Sequence, residues 1–159
     1  MTTHTFQLAQ TSEIPEILGI YTSLIGFPGL AWNTEYPSQE TAEGDIAHNS
    51  LYTLKDGEKI IAVVTAAPLD ELADFDWGLK NPCEIGRLGV LATELRKGIG
   101  QEILGYTIAE IKSRNFDGII MLVSKDNLAA LALYQKNGFQ ICGEFFEWGI
   151  DFYRLFLRF

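Results

Sequence analysis

The spacing of apolar and polar residues changes from segment to segment along the chain. Some segments have the spacing of a strand and others that of a helix. A period of two indicates a strand, whereas apolar positions three to four residues apart indicate a helix. On this basis we predict strands over residues 4–9, 51–55, 59–68, 84–92, 119–124, 139–146 and 152–159, and helices from residue 14 onward and over 38–49, 98–114 and 127–136. The pattern therefore predicts about six to seven strands and four helices.

The order of these elements predicts a mixed α/β sheet. Asp56-Gly57 favours a tight hairpin turn, which makes the second and third strands antiparallel. The strand at 84–92, the helix at 98–114 and the apolar run at 119–124 form a crossover unit with a buried parallel strand. The sequence contains no repeat and no flexible linker, so 159 residues with 47% hydrophobic content are expected to form one domain over 1–159.

Composition argues against several classes of protein. A net charge of −9 would repel nucleic-acid phosphates, so we expect neither DNA nor RNA as a partner. No run of about 18 apolar residues occurs and the N-terminus lacks a signal-peptide pattern, so we expect no membrane span and a cytoplasmic location. His4 and His48 have no neighbours at ligand spacing, and Cys83 and Cys142 are isolated, so neither a metal site nor a disulfide is expected.

The charge is unevenly distributed along the chain. Residues 87–136 hold seven basic and five acidic residues, a balance of +2, which leaves −11 for the remainder. A locally basic segment in an acidic protein fits a polyphosphate ligand on one side and a cationic ligand on the other. Chance scatter of solvated charge fits the same numbers.

A glycine pair lies where the predicted strand at 84–92 leads into the helix at 98–114. Gly98 and Gly100 would let phosphate oxygens approach the free N–H groups at the helix start, and Arg96 and Lys97 add positive charge. A dinucleotide-binding fingerprint needs a third glycine where Ile103 stands, and a Walker loop needs GKS or GKT. A tight turn without a ligand explains the two glycines equally well.

A second pair of polar residues lies about 30 residues further on. Asn127 and Tyr134 are seven residues apart, about two helical turns, so both lie near one helix face and can address one elongated ligand. The alternative is that Asn127 caps the helix and Tyr134 packs in the core.

Together, the segments EIGRLGVLA, LRKGIG and NLAALALYQKNGF resemble the GNAT superfamily of N-acetyltransferases. The resemblance spans about residues 83–147, and it implies a GNAT-like acyl-CoA N-acyltransferase fold. It also implies acetyl-CoA as cosubstrate, with no metal, and direct attack of an amine on the thioester in a ternary complex. In the family's QxxGxG or RxxGxG loop, Leu95 stands at the Arg or Gln position, and Arg96 follows one place later.

The resemblance also implies roles for individual residues. Tyr134 matches the general acid, and a backbone N–H near Val90 would stabilise the thioester oxygen. Glu84 is our candidate base, although a solvated residue at a strand end is an equal alternative, and Arg87 would face the opposite side unless a bulge intervenes. The full set of cofactor-binding candidates is Leu88, Val90, Arg96, Lys97, Gly98, Ile99, Gly100, Asn127 and Tyr134.

Parts of the chain that wall the acceptor side in this family combine aromatic and acidic residues here. They are Phe27, Trp32, Tyr36, Trp77 and Trp148, with Asp70, Glu71, Asp74, Asp76, Glu144, Glu147 and Asp151. Such a wall fits a cationic amine, so a primary amine of a small molecule or a peptide is the expected acceptor. Ordinary solubility charge is the alternative.

Three further alternatives concern function and assembly. A chain that keeps the ligand site without the chemistry would be an acyl-CoA-binding sensor or interaction module. A nucleotide-binding domain would instead bind ATP or NAD better than CoA. Residues 152–159 carry bulky apolar groups on both faces, which fits either a homodimer or a two-sided strand inside the sheet.

Overall fold

Seven strands form one mixed sheet in the computed structural model, which describes residues 3–69 and 72–159. The strands are β1 (His4–Leu8), β2 (Leu51–Asp56), β3 (Lys59–Pro68), β4 (Pro82–Val90), β5 (Gly118–Ser124), β6 (Gln140–Glu147) and β7 (Ile150–Arg158). Their order in the sheet is β1-β2-β3-β4-β5-β7-β6. Only the pairing of β4 with β5 is parallel in the described sheet.

Four α-helices cover the two faces of this sheet in the described ranges. They are α1 (Ile14–Ser23), α2 (Gln39–Ala47), α3 (Ile99–Ser113) and α4 (Leu128–Lys136). The predicted mixed α/β fold, with six to seven strands and four helices, is confirmed. None of the described helices has the length and apolar character that crossing a membrane would require.

The core divides into clusters on opposite faces. On the side of α3 and α4, Ile103 of α3 lies in one cluster with Leu54 and Ile119 of the sheet, and all three are fully buried. On the side of α1 and α2, Ile17 of α1 lies in a second cluster with Val63 of β3. A smaller cluster of Leu72, Trp77 and Ile120 lies beside the second one, on the face away from α3.

The predicted boundaries of the fourth strand are wrong by two residues at each end. The strand runs over Pro82–Val90 rather than 84–92, and a 3₁₀ turn follows at Ala92–Glu94. The N–H of Leu91 makes the last bond toward β3, donating to the carbonyl of Ile61 at 2.8 Å. The chain then folds back, because the N–H of Glu94 donates to the carbonyl of Leu91 at 2.7 Å.

The last strand, β7, lies inside the sheet between β5 and β6. Leu155 packs under α3, while Phe156 packs against the cluster of Trp77 on the other face. An interior position therefore accounts for bulky apolar groups on both faces. The homodimer suggested by the same pattern stays a prediction.

Strands β4 and β5 separate after a short parallel contact. They pair at Pro82 with Gly118, at Cys83 with Ile119 and at Glu84 with Ile120, and no further pair follows. Beyond this point the edge of β4 that faces β5 is open, although its other edge remains paired with β3 as far as Val90.

A β-bulge lies in β4 just beyond the separation. Thr65 of β3 pairs with Gly86 and Val63 pairs with Gly89, so Arg87 and Leu88 together oppose a single residue. Arg87 has a positive φ of 50°. An extra residue in one strand bends that strand and re-aims its side chains.

The bulge places Glu84 and Arg87 on the same face of the sheet. Cys83 and Ile85 pack under α3, so alternation turns Glu84 to the opposite face. Arg87 also points to that face, where its guanidinium contacts Asp45 of α2. The exception allowed for in the sequence is a bulge, and it is present at Arg87 itself.

We expect Leu104→Ala to lower the free energy of unfolding by about 2–5 kcal/mol, because Leu104 is fully buried and anchors α3 to the sheet. Leu128→Ala is the matched control: Leu128 is 73% exposed, and the change should stay within about 0.5 kcal/mol. Urea unfolding of both variants checks this. Equal losses would contradict the packing described for α3.

Candidate functional site

A cavity of about 130 Å³ lies where β4 and β5 separate. Residues 85–88 and 121–124 form its side walls. Asn127 and Tyr134 of α4 line it from one face of the sheet, and residues 29–32 line it from the other. The cavity therefore joins the two faces through the gap between the strands, and we call it the inner cavity.

Tyr134 is the ionisable phenol of the inner cavity. It is 7% exposed and packs edge to face against Phe139, with ring centroids 5.7 Å apart. Its hydroxyl makes no hydrogen bond within the described part of the chain. Burial raises the pKa of Tyr134 to about 12, so the phenol stays protonated at neutral pH and can donate a proton.

Asn127 both caps α4 and lines the inner cavity. Its Oδ1 accepts a hydrogen bond from the N–H of Ala130 at 3.2 Å. The two interpretations of Asn127 and Tyr134 therefore coexist: the residues stabilise the helix and the core, and they also face one cavity. The spacing of seven residues brought them to the same helix face, as the sequence predicted.

Helix α3 begins with free N–H groups. Its N-cap is Gly98, in the left-handed region at φ 80°, and no side chain caps the helix there. The N–H of Glu102 donates to the carbonyl of Gly98 at 3.1 Å, so the N–H groups of Ile99 and Gly100 precede the first helical bond. Such a helix start attracts an anion.

The loop before α3 differs in detail from the arrangement that the resemblance implies. Leu95 is half-buried and packs against both large clusters, so its side chain anchors the loop instead of reaching a ligand. Lys97 is 3.0 Å from Glu94, which also lies 3.4 Å from Lys59. Arg96 is exposed and forms no ion pair with any residue that the structure describes.

The basic segment is less positive in the fold than in the sequence. Arg87, Arg114 and Lys125 lie within 2.8, 3.2 and 2.7 Å of carboxylates, as Lys97 lies near Glu94. The hydrogen bond from Lys97 is the largest cause that holds the pKa of Glu94 below its usual value. Free positive charge near the start of α3 is therefore concentrated on Arg96.

A pair of side-chain amides joins α3 to α4. The Nε2 of Gln101 donates to the Oδ1 of Asn137 at 2.8 Å, and the Nδ2 of Asn137 donates to the Oε1 of Gln101 at 2.9 Å. Asn137 also donates to the carbonyl of Leu133 at 2.7 Å. The pair fixes the first turn of α3 relative to the helix of Tyr134. Sequence reasoning missed it, because the two residues are 36 apart and neither stands in the quoted loop motif.

Among the remaining strand candidates, Leu88 lines the inner cavity, whereas Val90 is buried and paired with Ala62. Glu84 is half-buried at the last pair of β4 with β5, next to Ile85 of the cavity wall. Its role as the base stays a prediction.

Arg87 lines the cavity as a cation. Its guanidinium donates to both carboxylate oxygens of Asp45, at 2.8 Å from Nη2, and to the hydroxyl of Tyr36 at 3.0 Å. Burial acts to lower the pKa of Arg87, but Tyr36 and Asp45 outweigh it and leave the pKa above its usual value. Arg87 therefore accepts no proton. The contact with Asp45 of α2 gave no signal in the sequence.

A second cavity, of about 470 Å³, opens beside the inner one. Its walls are residues 29–31, 124–126 and 149–151, and it shares residues 29–31 and Ser124 with the inner cavity. We call it the outer groove. A Cβ at Gly29 would lie 2.5 Å from the carbonyl oxygen of Asp126, so only glycine permits the close contact between this loop and the start of α4.

The predicted acceptor wall is only partly assembled at these cavities. Trp32 lines the inner cavity and Asp151 lines the outer groove. Trp77 is buried, with its Nε1 donating to the carbonyl of Leu72 at 2.9 Å. Trp148, at the turn between β6 and β7, is 68% exposed. Asp70 and Glu71 lie outside the described residues.

The model of the acetyltransferase (GNAT) family matches residues 17–139, which is more than half of the chain. The chain belongs to the GNAT acetyltransferase family. The match includes the β4–α3–β5–α4 unit that surrounds the inner cavity. The resemblance noted in the sequence is confirmed.

Known proteins with similar sequences and structures agree with this family. N-acetyltransferase family 8 member 2 of Rattus norvegicus is 24% identical over 100 residues, covering 63% of this chain and 42% of its own length. The chain thus spans less than half of that relative. The ribosomal-protein-alanine N-acetyltransferase from Brucella melitensis has a TM-score of 0.78 at 19% identity, with 98% and 99% of the two chains covered.

A putative acetyltransferase from Salmonella typhimurium, solved with its cofactor acetyl-CoA, has a TM-score of 0.76 at 15% identity. The alignment covers 98% of this chain and 93% of that one. At these identities, the similarity establishes the GNAT fold alone.

The amide pair between α3 and α4 predicts a measurable coupling. In a double-mutant cycle of Gln101→Ala and Asn137→Ala, we expect a coupling free energy of about 0.5–3 kcal/mol, because both bonds are partly buried. Denaturant unfolding of the four proteins measures it.

The matched control for this cycle is the exposed contact between Gln39 and Glu43 on α2, at 2.8 Å. Its cycle should give at most about 0.5 kcal/mol. A coupling for Gln101 and Asn137 no larger than that of the control would refute the proposed tie between the helices.

Proposed function

We propose that this protein transfers the acetyl group of acetyl-CoA to a primary amine of a small molecule or peptide. The observation that carries the proposal is the inner cavity, which lies where β4 and β5 separate and is lined by the protonated phenol of Tyr134. Membership of the GNAT family supports the same reaction.

The free N–H groups at the start of α3 would hold the diphosphate of acetyl-CoA. Gly98 has open space around its Cα, and Arg96 supplies an unpaired cation beside it. The family loop uses a longer polar residue where Leu95 stands, so main-chain donors from Arg96 to Gly100 carry most of the binding here. We also assign to Lys97 a weaker part, because Glu94 already neutralises it.

The open edge of β4 would hold the pantetheine arm. Its main-chain groups from Ile85 onward have no partner strand on the side of β5, and an elongated ligand with amide groups can complete that pairing. This path leads past Leu88 to the inner cavity and directs the thioester to the gap between the strands. A backbone N–H between Leu88 and Val90 would stabilise charge on the thioester oxygen.

Tyr134 would protonate the sulfur that leaves. A protonated phenol without a hydrogen-bond partner in the described protein is a suitable general acid, and Asn127 on the same helix face would orient the cosubstrate. The attacking amine must lose a proton, which we assign to Glu84 directly or through water. The bulge turns Arg87 to the same face as Glu84, where Asp45 pairs with its guanidinium.

Replacing the phenol should separate binding from chemistry. We expect Tyr134→Phe to bind CoA as the wild type does, by calorimetry, and to transfer acetyl groups about 10²- to 10⁴-fold more slowly. Tyr106→Phe is the matched control, since Tyr106 lies exposed on α3 and should leave both measurements unchanged.

Wild-type protein that binds acetyl-CoA but acetylates no amine in a broad panel would instead identify an acyl-CoA sensor. The proposal as a whole fails if neither CoA nor acetyl-CoA binds at millimolar concentration, or if ATP or NAD binds better.

The two loop cations should contribute unequally to cofactor affinity. We expect Arg96→Gln to weaken CoA binding about two- to fivefold, because an exposed, unpaired cation is worth up to about 1 kcal/mol to a nearby anion. Lys97→Gln should change the affinity less than about twofold, since Glu94 already holds that ammonium. Calorimetry at one fixed salt concentration compares them. A larger effect at Lys97 would contradict the charge pattern of the loop.

A further inference from the structure

We propose that the acceptor is a slender aliphatic primary amine with a second positive charge, which Asp126 and Asp151 hold in the outer groove. This inference rests on the proposed function and narrows its substrate class. The inner cavity limits the width of the reacting end, and the outer groove supplies the negative charge.

The inner cavity limits the size of the group that enters it. A cavity of roughly 150 Å³ holds one benzene molecule, so 130 Å³ accommodates about an acetyl group and an amino group on a narrow chain. Trp32 fixes this limit, because it packs so closely on β4 that a Cβ at Gly89 would lie 3.0 Å from its ring. A ring-bearing amine would have to displace Trp32, which also packs edge to face on Tyr21.

The outer groove has two carboxylates and one neutralised cation. Among the lining residues, the basic side chain is that of Lys125. Its ammonium lies 2.7 Å from Glu144 and over the ring of Tyr153. Asp126 and Asp151 are exposed, and neither forms a side-chain ion pair with any residue between 3 and 69 or 72 and 159, although the charge of Asp151 acts on Lys125 at longer range. The groove is therefore negative.

A main-chain bond holds the two carboxylate-bearing walls together. The N–H of Lys125 donates to the carbonyl of Asp151 at 3.0 Å, joining the β5–α4 turn to the β6–β7 hairpin. The inner end of the same passage is lined by Tyr134, which is 7% exposed and has no hydrogen-bond partner in the described chain. A linear acceptor can thus present its amine to the inner cavity while a second cation remains between the two aspartates.

The test compares 1,4-diaminobutane with 4-aminobutan-1-ol, which has the same length but a single positive charge. Acetyl-CoA is kept at a fixed concentration. For each substrate, kcat/KM is calculated from the concentration of molecules whose reacting amino group is unprotonated. We expect the wild type to favour the diamine roughly 5- to 20-fold, since each exposed carboxylate contributes up to about a fivefold effect. Alanyl-lysine amide and alanyl-methionine amide form a second pair, which distinguishes a peptide source of the second charge from a free diamine.

Variants that remove charge test whether the preference for the diamine arises in the outer groove. In the double variant Asp126→Asn with Asp151→Asn, the preference should fall to about twofold or less, and the KM for acetyl-CoA checks that the cofactor side is intact. Glu58→Gln removes the same kind of charge at the exposed β2–β3 turn and should leave the preference intact. Thermal unfolding verifies that all variants are folded.

The outcomes separate the two proposals. A preference in either substrate pair that the double variant removes supports the inference, and the pair that shows it identifies the source of the charge. The inference is overturned by equal rates within both pairs, or by a preference that survives in the double variant. It is also overturned if a bulky aminoglycoside is acetylated faster than 1,4-diaminobutane. In each of these cases the proposed acetyl transfer still stands. If acetyl-CoA binds but no amine is acetylated, the proposed function itself fails and the inference fails with it.

Discussion

The separation of β4 from β5 after three residue pairs is the constraint on which the rest of the site depends. Backbone N–H and C=O groups in the middle of a sheet need partners, and in the described chain no strand pairs with this edge of β4 beyond Glu84. The bulge at Arg87 bends the strand at this point, and Asp45 of α2 holds the displaced guanidinium in place. An elongated ligand that supplies hydrogen bonds can occupy the opening without displacing any strand.

The helices on the two faces give this opening two different ends. On one face, α3 begins with free N–H groups, and the amide pair of Gln101 and Asn137 fixes α3 against the helix of Tyr134, which lines the opening. On the other face, Trp32 narrows the passage before it widens into a groove with two aspartates. One end is thus suited to phosphate and the other to a cationic amine, and the buried phenol lies between them.

The fold could be predicted, and residues could be proposed for the cofactor side, because both signals are local. Asp56-Gly57 specifies a turn through its own backbone preferences, and the seven residues between Asn127 and Tyr134 specify a shared helix face. The sequence could not predict whether a bulge is present at Arg87, because the bulge depends on the register of β4 with β3. The ion pairs that neutralise Lys97, Arg114 and Lys125 could not be predicted from the number of charges, because side-chain pairing depends on positions in space.

By itself, the sequence determined the type and order of the elements and the family motifs, and it predicted which loop and helix residues face a cofactor. Periodicity and turn chemistry act over a few residues, so they can be read along the chain. Only the tertiary structure decided that Leu95 is an anchor, that Arg96 has no ion-pair partner among the described residues, and that Asp126 and Asp151 line one groove. These properties arise from contacts between segments far apart in sequence, which form only when the sheet and its helices pack together.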